Sequence, residues 1–118
     1  MKYPDYLEQD YTFPEFYRVR MKSPDTRLDD PATAIAESMA TVLPGSGIAA
    51  GDSVAVAVGS RGIDNLAVMV RATCQQLKAI GAEPFLSPAM GSHGNATAEG
   101  QQKILEQLGV TEEFVGAP

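Results

Sequence analysis

Two short segments hold the residues best suited to chemistry. In Gly59-Ser60-Arg61-Gly62 glycines let the backbone turn tightly, exposed N–H groups and the dipole of a following helix favour an anion, and the Arg61 guanidinium can grip a carboxylate or phosphate in bidentate fashion. An ordinary tight turn with a solvated arginine would carry the same residues. The segment is neither a GxGxxG fingerprint nor a Walker loop, so dinucleotide binding is not supported. The second segment, Ala89-Met90-Gly91-Ser92-His93-Gly94-Asn95-Ala96-Thr97, contains the chain's one histidine. From Pro84 to Ala98 there is no Asp, Glu, Lys or Arg. Glycine on both sides of Ser92-His93 allows close approach of a ligand, and imidazole is the side chain best suited to exchanging a proton near neutral pH. The alternative is a histidine packed into a glycine turn and bonded to backbone.

The supply of reactive groups narrows the choice of chemistry. One cysteine, Cys74, excludes an internal disulfide, and a self-contained zinc or iron site would have to draw on one thiol, one imidazole and carboxylates. No metal site is expected from these residues alone. A single imidazole also cannot serve both faces of a substrate. Cys74 reads as a small core residue, and Met39, Met69 and Met90 read as packing. With 9 Lys and Arg against 15 Asp and Glu, a net charge of −6 and no dense basic run, a nucleic-acid or anionic-membrane partner is not expected. No stretch approaches the ~20 apolar residues of a bilayer span, and the start of the chain lacks the apolar core of a secretion signal, so the cytoplasm is the expected compartment.

The elements that must position these segments follow from the patterning. At 118 residues with 44% apolar content the chain has room for one packed domain, read as an α/β domain over residues 15–118 behind an N-terminal arm over residues 1–14. Phe16 to Lys22 alternates Phe16, Arg18, Arg20 and Lys22 with Tyr17, Val19 and Met21, the pattern of a half-buried edge strand. Asp30 followed by Pro31 starts a helix, with Ile35, Met39, Val42 and Leu43 on one face and an end at Pro44-Gly45. Val54 to Val58 is apolar on both faces and reads as a central strand covered on both sides. A second helix opens at Ile63-Asp64, with Asp64 as cap and Ile63 and Val68 as a staple, and ends at Gly81. Its stripe is Leu66, Val70, Thr73, Leu77 and Ile80. A short strand covers Glu83 to Ser87. A third helix from Thr97 carries Ile104, Leu105 and Leu108 inward and stops at Gly109, and Glu112-Glu113 is a solvated turn. The order β-α-β-α-β-α predicts a Rossmann-like three-layer unit with a parallel sheet, whose ligands bind beyond the carboxyl ends of the strands.

Together, Gly59-Ser60-Arg61-Gly62-Ile63-Asp64-Asn65, Gly81-Ala82-Glu83-Pro84-Phe85 and the run from Pro88 through His93 to Gly100 resemble the N-terminal domain of the lactate racemase family, which uses a nickel-pincer nucleotide. The resemblance covers residues 50–116 well and the first 50 loosely. It implies a 2-hydroxyacid racemase or epimerase, with His93 as acid/base for the substrate hydroxyl, Arg61 near substrate and cofactor, and Ser60, Gly91 and Ser92 lining the pocket. The chain departs from the lactate-specific pattern in two places. Gly94 stands where that pattern has arginine, and the first turn is Gly-Ser-Arg-Gly instead of Asp-x-Thr-Arg-Pro, which points to a larger or differently charged hydroxyacid. The family's second catalytic histidine, cofactor-bearing lysine and nickel-binding histidine are not supplied here. The resemblance therefore implies the first lobe of a longer parent polypeptide, inactive alone, with Glu112 to Pro118 leading toward a further strand or loop. The rival expectation is a non-catalytic α/β module that binds a small anion or a protein partner through the Arg61 and His93 loops.

Overall fold

The computed structural model describes Pro4 and residues 12–118. The arm expected over residues 1–14 falls mostly outside the described residues. Residues 12–30 run without regular structure and with every side chain exposed. The edge strand expected over Phe16 to Lys22 is absent. Tyr17, Val19 and Met21 are all at least three-quarters exposed, because alternation selects one face of a strand but supplies no neighbour to bond its edge, and none lies alongside among the described residues.

Packing begins with α1 (Pro31–Val42). Its start is set by Asp30, whose carboxylate accepts the Ala32 and Thr33 backbone N–H groups and the Thr33 hydroxyl, while Pro31 takes the position where a missing N–H costs nothing. These bonds hold the Asp30 carboxyl below the usual carboxylate range, the Thr33 hydroxyl first among the causes. Ile35, Met39 and Leu43 are half-buried against the rest of the fold. Val42 lies off that stripe and is exposed. A 3-10 turn, Leu43–Gly45, ends the run.

The sheet consists of β1 (Ser53–Val58) and β2 (Glu83–Pro88), paired in parallel from Ser53 opposite Glu83 to Val58 opposite Pro88. Between them runs α2 (Leu66–Ala79). One β-α-β unit is present where a three-stranded sheet was expected. Its two strands carry α2 and α3 (Ala98–Gln107) on a single face: Val56, Val58 and Leu86 point into the core, while Ala55, Ala57 and Phe85 stay exposed. The expectation of a central strand covered on both sides is thus corrected, since small alanines on the outer face need no cover to be tolerated in water. A short α4 (Glu112–Val115) follows α3, so Glu112 and Glu113 form the first turn of a helix and face its positive end, where a free turn was expected. Lys78 of α2 donates to the Gly116 carbonyl behind it, and the Arg71 guanidinium lies 5.0 Å from the centre of the Phe114 ring.

The core joins Val58, Leu66, Val70, Cys74, Met90, Leu105, Val110, Val115 and Ala117, each large aliphatic side chain contributing about 1.5–3 kcal/mol on burial. Cys74 is fully buried, and that burial raises its thiol above the ordinary value despite the opposing charge of Lys78. Helices α2 and α3 end in the same way. The Ala82 N–H donates to the Leu77 carbonyl at 3.1 Å, and the Val110 N–H to the Leu105 carbonyl at 2.9 Å, around left-handed Gly81 and Gly109. This cap buries the residue after the glycine, Ala82 and Val110, and leaves the residue before it in water. Ile80 and Leu108 are therefore exposed, against their expected inward placement.

Candidate functional site

Both chemistry-bearing segments leave the carboxyl end of a strand. β1 stops at Val58 and β2 at Pro88, and the Ala89 N–H donates to the Val58 carbonyl at 2.8 Å. That bond extends the parallel ladder by one step and sets the first residues of the two loops side by side. Ile63 sits over Gly59, 3.7 Å from where a Cβ would stand. The cleft between the loops, about 400 Å³, is lined by Gly59, Ser60, Arg61, Ile63, Met90 and Gly91 among others. A larger groove, about 590 Å³, lies beside β2 and α3 and holds neither Arg61 nor His93.

The three polar residues converge on one ring. The Ser60 Oγ lies 2.6 Å from His93 Nδ1, and Arg61 Nε donates to His93 Nε2 at 3.3 Å. These contacts span 33 and 32 residues of sequence, so they are products of the fold. Ser60 and His93 are half-buried and Arg61 is exposed. Among the described residues the only ion pair joins Arg27 to Asp25, which leaves the Arg61 fork free for an anion. Gly91 is in the cleft wall. Ser92 is exposed, and its hydroxyl makes no hydrogen bond among the described residues.

The His93 loop is braced from α3, by contacts of Thr97, Gly100 and Gln101 that the sequence did not single out. His93 begins a 3-10 turn, His93–Ala96, in which Gly94, Asn95 and Ala96 are successively left-handed, with φ of 60°, 56° and 56°. Left-handed backbone at a residue with a side chain costs on the order of 1–2 kcal/mol, so something must hold the turn. Gly100, in the first turn of α3, presses on it: a Cβ added to Gly94 would stand 2.3 Å from the Gly100 carbonyl carbon, and one added to Gly100 would stand 2.0 Å from the Gly94 oxygen. The Thr97 hydroxyl donates to the Gly94 carbonyl and accepts the Gly100 N–H, capping α3 at the same time. The Gln101 amide donates to the Gly91 carbonyl at 2.7 Å. The Gly-x₅-Gly spacing of Gly94 and Gly100 was the visible signal of this close approach. No side chain fits at position 94 while that contact stands.

The first loop is held less firmly. Asp64, expected to cap α2, instead accepts the neighbouring Asn65 N–H and amide. The cap position is Asn65 in a left-handed conformation, without a side-chain bond to the helix. Ile63 and Val68, the expected staple, are both exposed.

No group of three or more His, Cys, Asp or Glu side chains converges to hold a metal among the described residues, and His93 already has a partner at each ring nitrogen. The residues present do not fit a complete nickel-pincer site. No helix among the described residues is long and apolar enough to cross a membrane. Compared with family models, curated proteins and solved structures, the chain matches none, and the resemblance to the lactate racemase family rests on the quoted motifs.

Proposed function

We propose that this chain is the N-terminal lobe of a 2-hydroxyacid racemase or epimerase of the lactate racemase type, in which His93 exchanges a proton with the substrate hydroxyl and Arg61 binds its carboxylate. The observation that carries this reading is the approach of Arg61 Nε to His93 Nε2 at 3.3 Å. A 2-hydroxyacid bears its hydroxyl and its carboxylate on adjacent carbons, so a base and a guanidinium that stand side by side can reach both groups of one substrate. The free fork of Arg61 is built for two carboxylate oxygens, and Nε2 then faces the neighbouring hydroxyl. Gly59 and Gly91 keep the cleft walls thin beside the substrate.

The remaining parts belong to the resemblance. The nickel-pincer nucleotide, its attachment lysine, its nickel-binding histidine and the acid/base for the opposite face would come from the rest of the parent polypeptide. This chain's own share is the hydroxyl proton and the carboxylate. Gly94 in place of an arginine leaves Arg61 as the one cation bonded to the ring among the described residues, which favours a hydroxyacid other than lactate, with a larger or differently charged remainder.

The test is a racemisation assay with metal analysis on the parent protein. Nickel content with hydroxyacid turnover is expected, and His93→Ala abolishes turnover while the protein stays folded. Absence of both nickel and turnover when the cofactor is supplied refutes the assignment, and full activity in His93→Ala returns the histidine to a packing role.

A further inference from the structure

Serine beside histidine invites comparison with a nucleophile and its base, and the direction of the proton decides the matter. A guanidinium only donates, so His93 Nε2, which receives Arg61 Nε, must carry a lone pair. A neutral imidazole has one N–H, which is therefore on Nδ1. The Nδ1–H then donates to Ser60 Oγ at 2.6 Å, and Ser60 is the acceptor. Turning the ring over would set carbon atoms against both partners and lose both bonds. A serine activated as a nucleophile must give its proton to the imidazole, and here the imidazole gives its proton to the serine.

We propose that Ser60 is a positioning residue: it holds His93 in the Nδ1–H tautomer, so that Nε2, the nitrogen beside Arg61, keeps its lone pair. Its catalytic consequence rests on the acid/base reading above; the tautomer itself does not. When Nε2 takes the substrate hydroxyl proton, the ring becomes imidazolium with an N–H at each nitrogen. Ser60 remains a suitable acceptor and its bond strengthens by charge assistance. Arg61 cannot, because two donors would then face each other across 3.3 Å. Arg61 must leave Nε2 as the proton arrives, and the substrate carboxylate gives its guanidinium a place to go. One serine thus serves both protonation states of the ring, while the arginine bonds only the neutral one.

The single histidine makes the test direct. Long-range proton–nitrogen correlation spectra of the labelled 118-residue chain, taken at alkaline pH where imidazoles are neutral, report which ring nitrogen carries the proton. The expected result is a bare Nε2 in the wild type, a ratio shifted about fivefold toward Nε2–H in Ser60→Ala, the size of one ordinary neutral hydrogen bond, and retention of the wild-type signature in Ser60→Thr. Backbone amide spectra of the same samples establish that the variants are folded. A protonated Nε2 in the wild type, or a spectrum unchanged in folded Ser60→Ala, overturns the proposal. In the parent enzyme, Ser60→Ala is expected to lower kcat about tenfold with KM little changed, and Ser60→Thr to restore it. A tautomer that responds to Ser60 in a protein without hydroxyacid turnover supports the positioning role and refutes the acid/base reading, so the two stand or fall separately.

Discussion

The two loops that meet at His93 are built on opposite plans. The loop after β1 is open: its glycines touch little, its helix begins without a side-chain cap, and its charged residues, Arg61 and Asp64, are exposed. The loop after β2 is clamped, with backbone pressed on backbone at Gly94 and Gly100, and with Thr97 and Gln101 tied to its carbonyls. The difference suits the roles proposed for the two side chains. A base must present one nitrogen in one direction, and a guanidinium that changes partners during a reaction must be free to swing.

The sharpest way to break this contrast is to add one methyl group to each loop. Gly94→Ala and Gly100→Ala each force a Cβ into backbone atoms at 2.3 Å or less, and a loss of ~3 kcal/mol or more is expected from overpacking, with left-handed strain added at position 94. Urea unfolding midpoints measure it. Gly62→Ala meets nothing within 4 Å, although φ there is +58°, so only backbone strain of about 1–2 kcal/mol is expected. Equal losses in the two loops would remove the distinction.

Thr97→Ala removes one cap and one brace together, at a cost of about 1 kcal/mol, and His93 ring signals should broaden in the same variant. Acid provides a control at Asp30, which lies outside both loops. The Asp30 carboxyl is held below its unfolded value; its contribution to α1 is therefore complete above that unfolded value and is lost as pH falls through the folded one. Helicity followed by circular dichroism should fall in that acid range in the wild type and lose this component in Asp30→Ala. The smallest effect belongs to Arg61→Ala, which should leave the unfolding midpoint unchanged but remove the response of the His93 ring signals to added hydroxycarboxylate. A midpoint lowered as far as in Thr97→Ala would mean that the open loop is braced after all.

What could be read from the residues was mostly local. Asp30-Pro31, Thr97 and the glycines at 81 and 109 mark helix ends through bonds within a few positions, and each element end fell where those residues put it. The Gly-Ser-Arg-Gly turn and the His93 segment were visible as glycine-bounded exceptions to the surrounding pattern. The failures depended on partners. Phe16 to Lys22 has the alternation of a strand, yet no neighbouring strand among the described residues bonds it. Val54 to Val58 looked buried on both faces because alanine suits a core and a bare surface equally. Ile80 and Leu108 satisfied a helical stripe, but the cap geometry handed their places to Ala82 and Val110. The meeting of Ser60, Arg61 and His93 was legible only as two candidate loops, since the bond from Ala89 to Val58 that brings them together is made by backbone and leaves no trace in side-chain identity.

The contact between Gly94 and Gly100 also constrains how this protein can change. Neither position can acquire a side chain while the other turn stays where it is, and replacing both adds a second obstruction instead of relieving the first. A new charge beside the histidine therefore has no single-step route through position 94. Substitutions at the other loop meet no such obstruction, since Arg61 and Gly62 lie in open space, so that under the proposed roles the half of the cleft that handles the proton is the harder to alter and the half that binds the anion the easier.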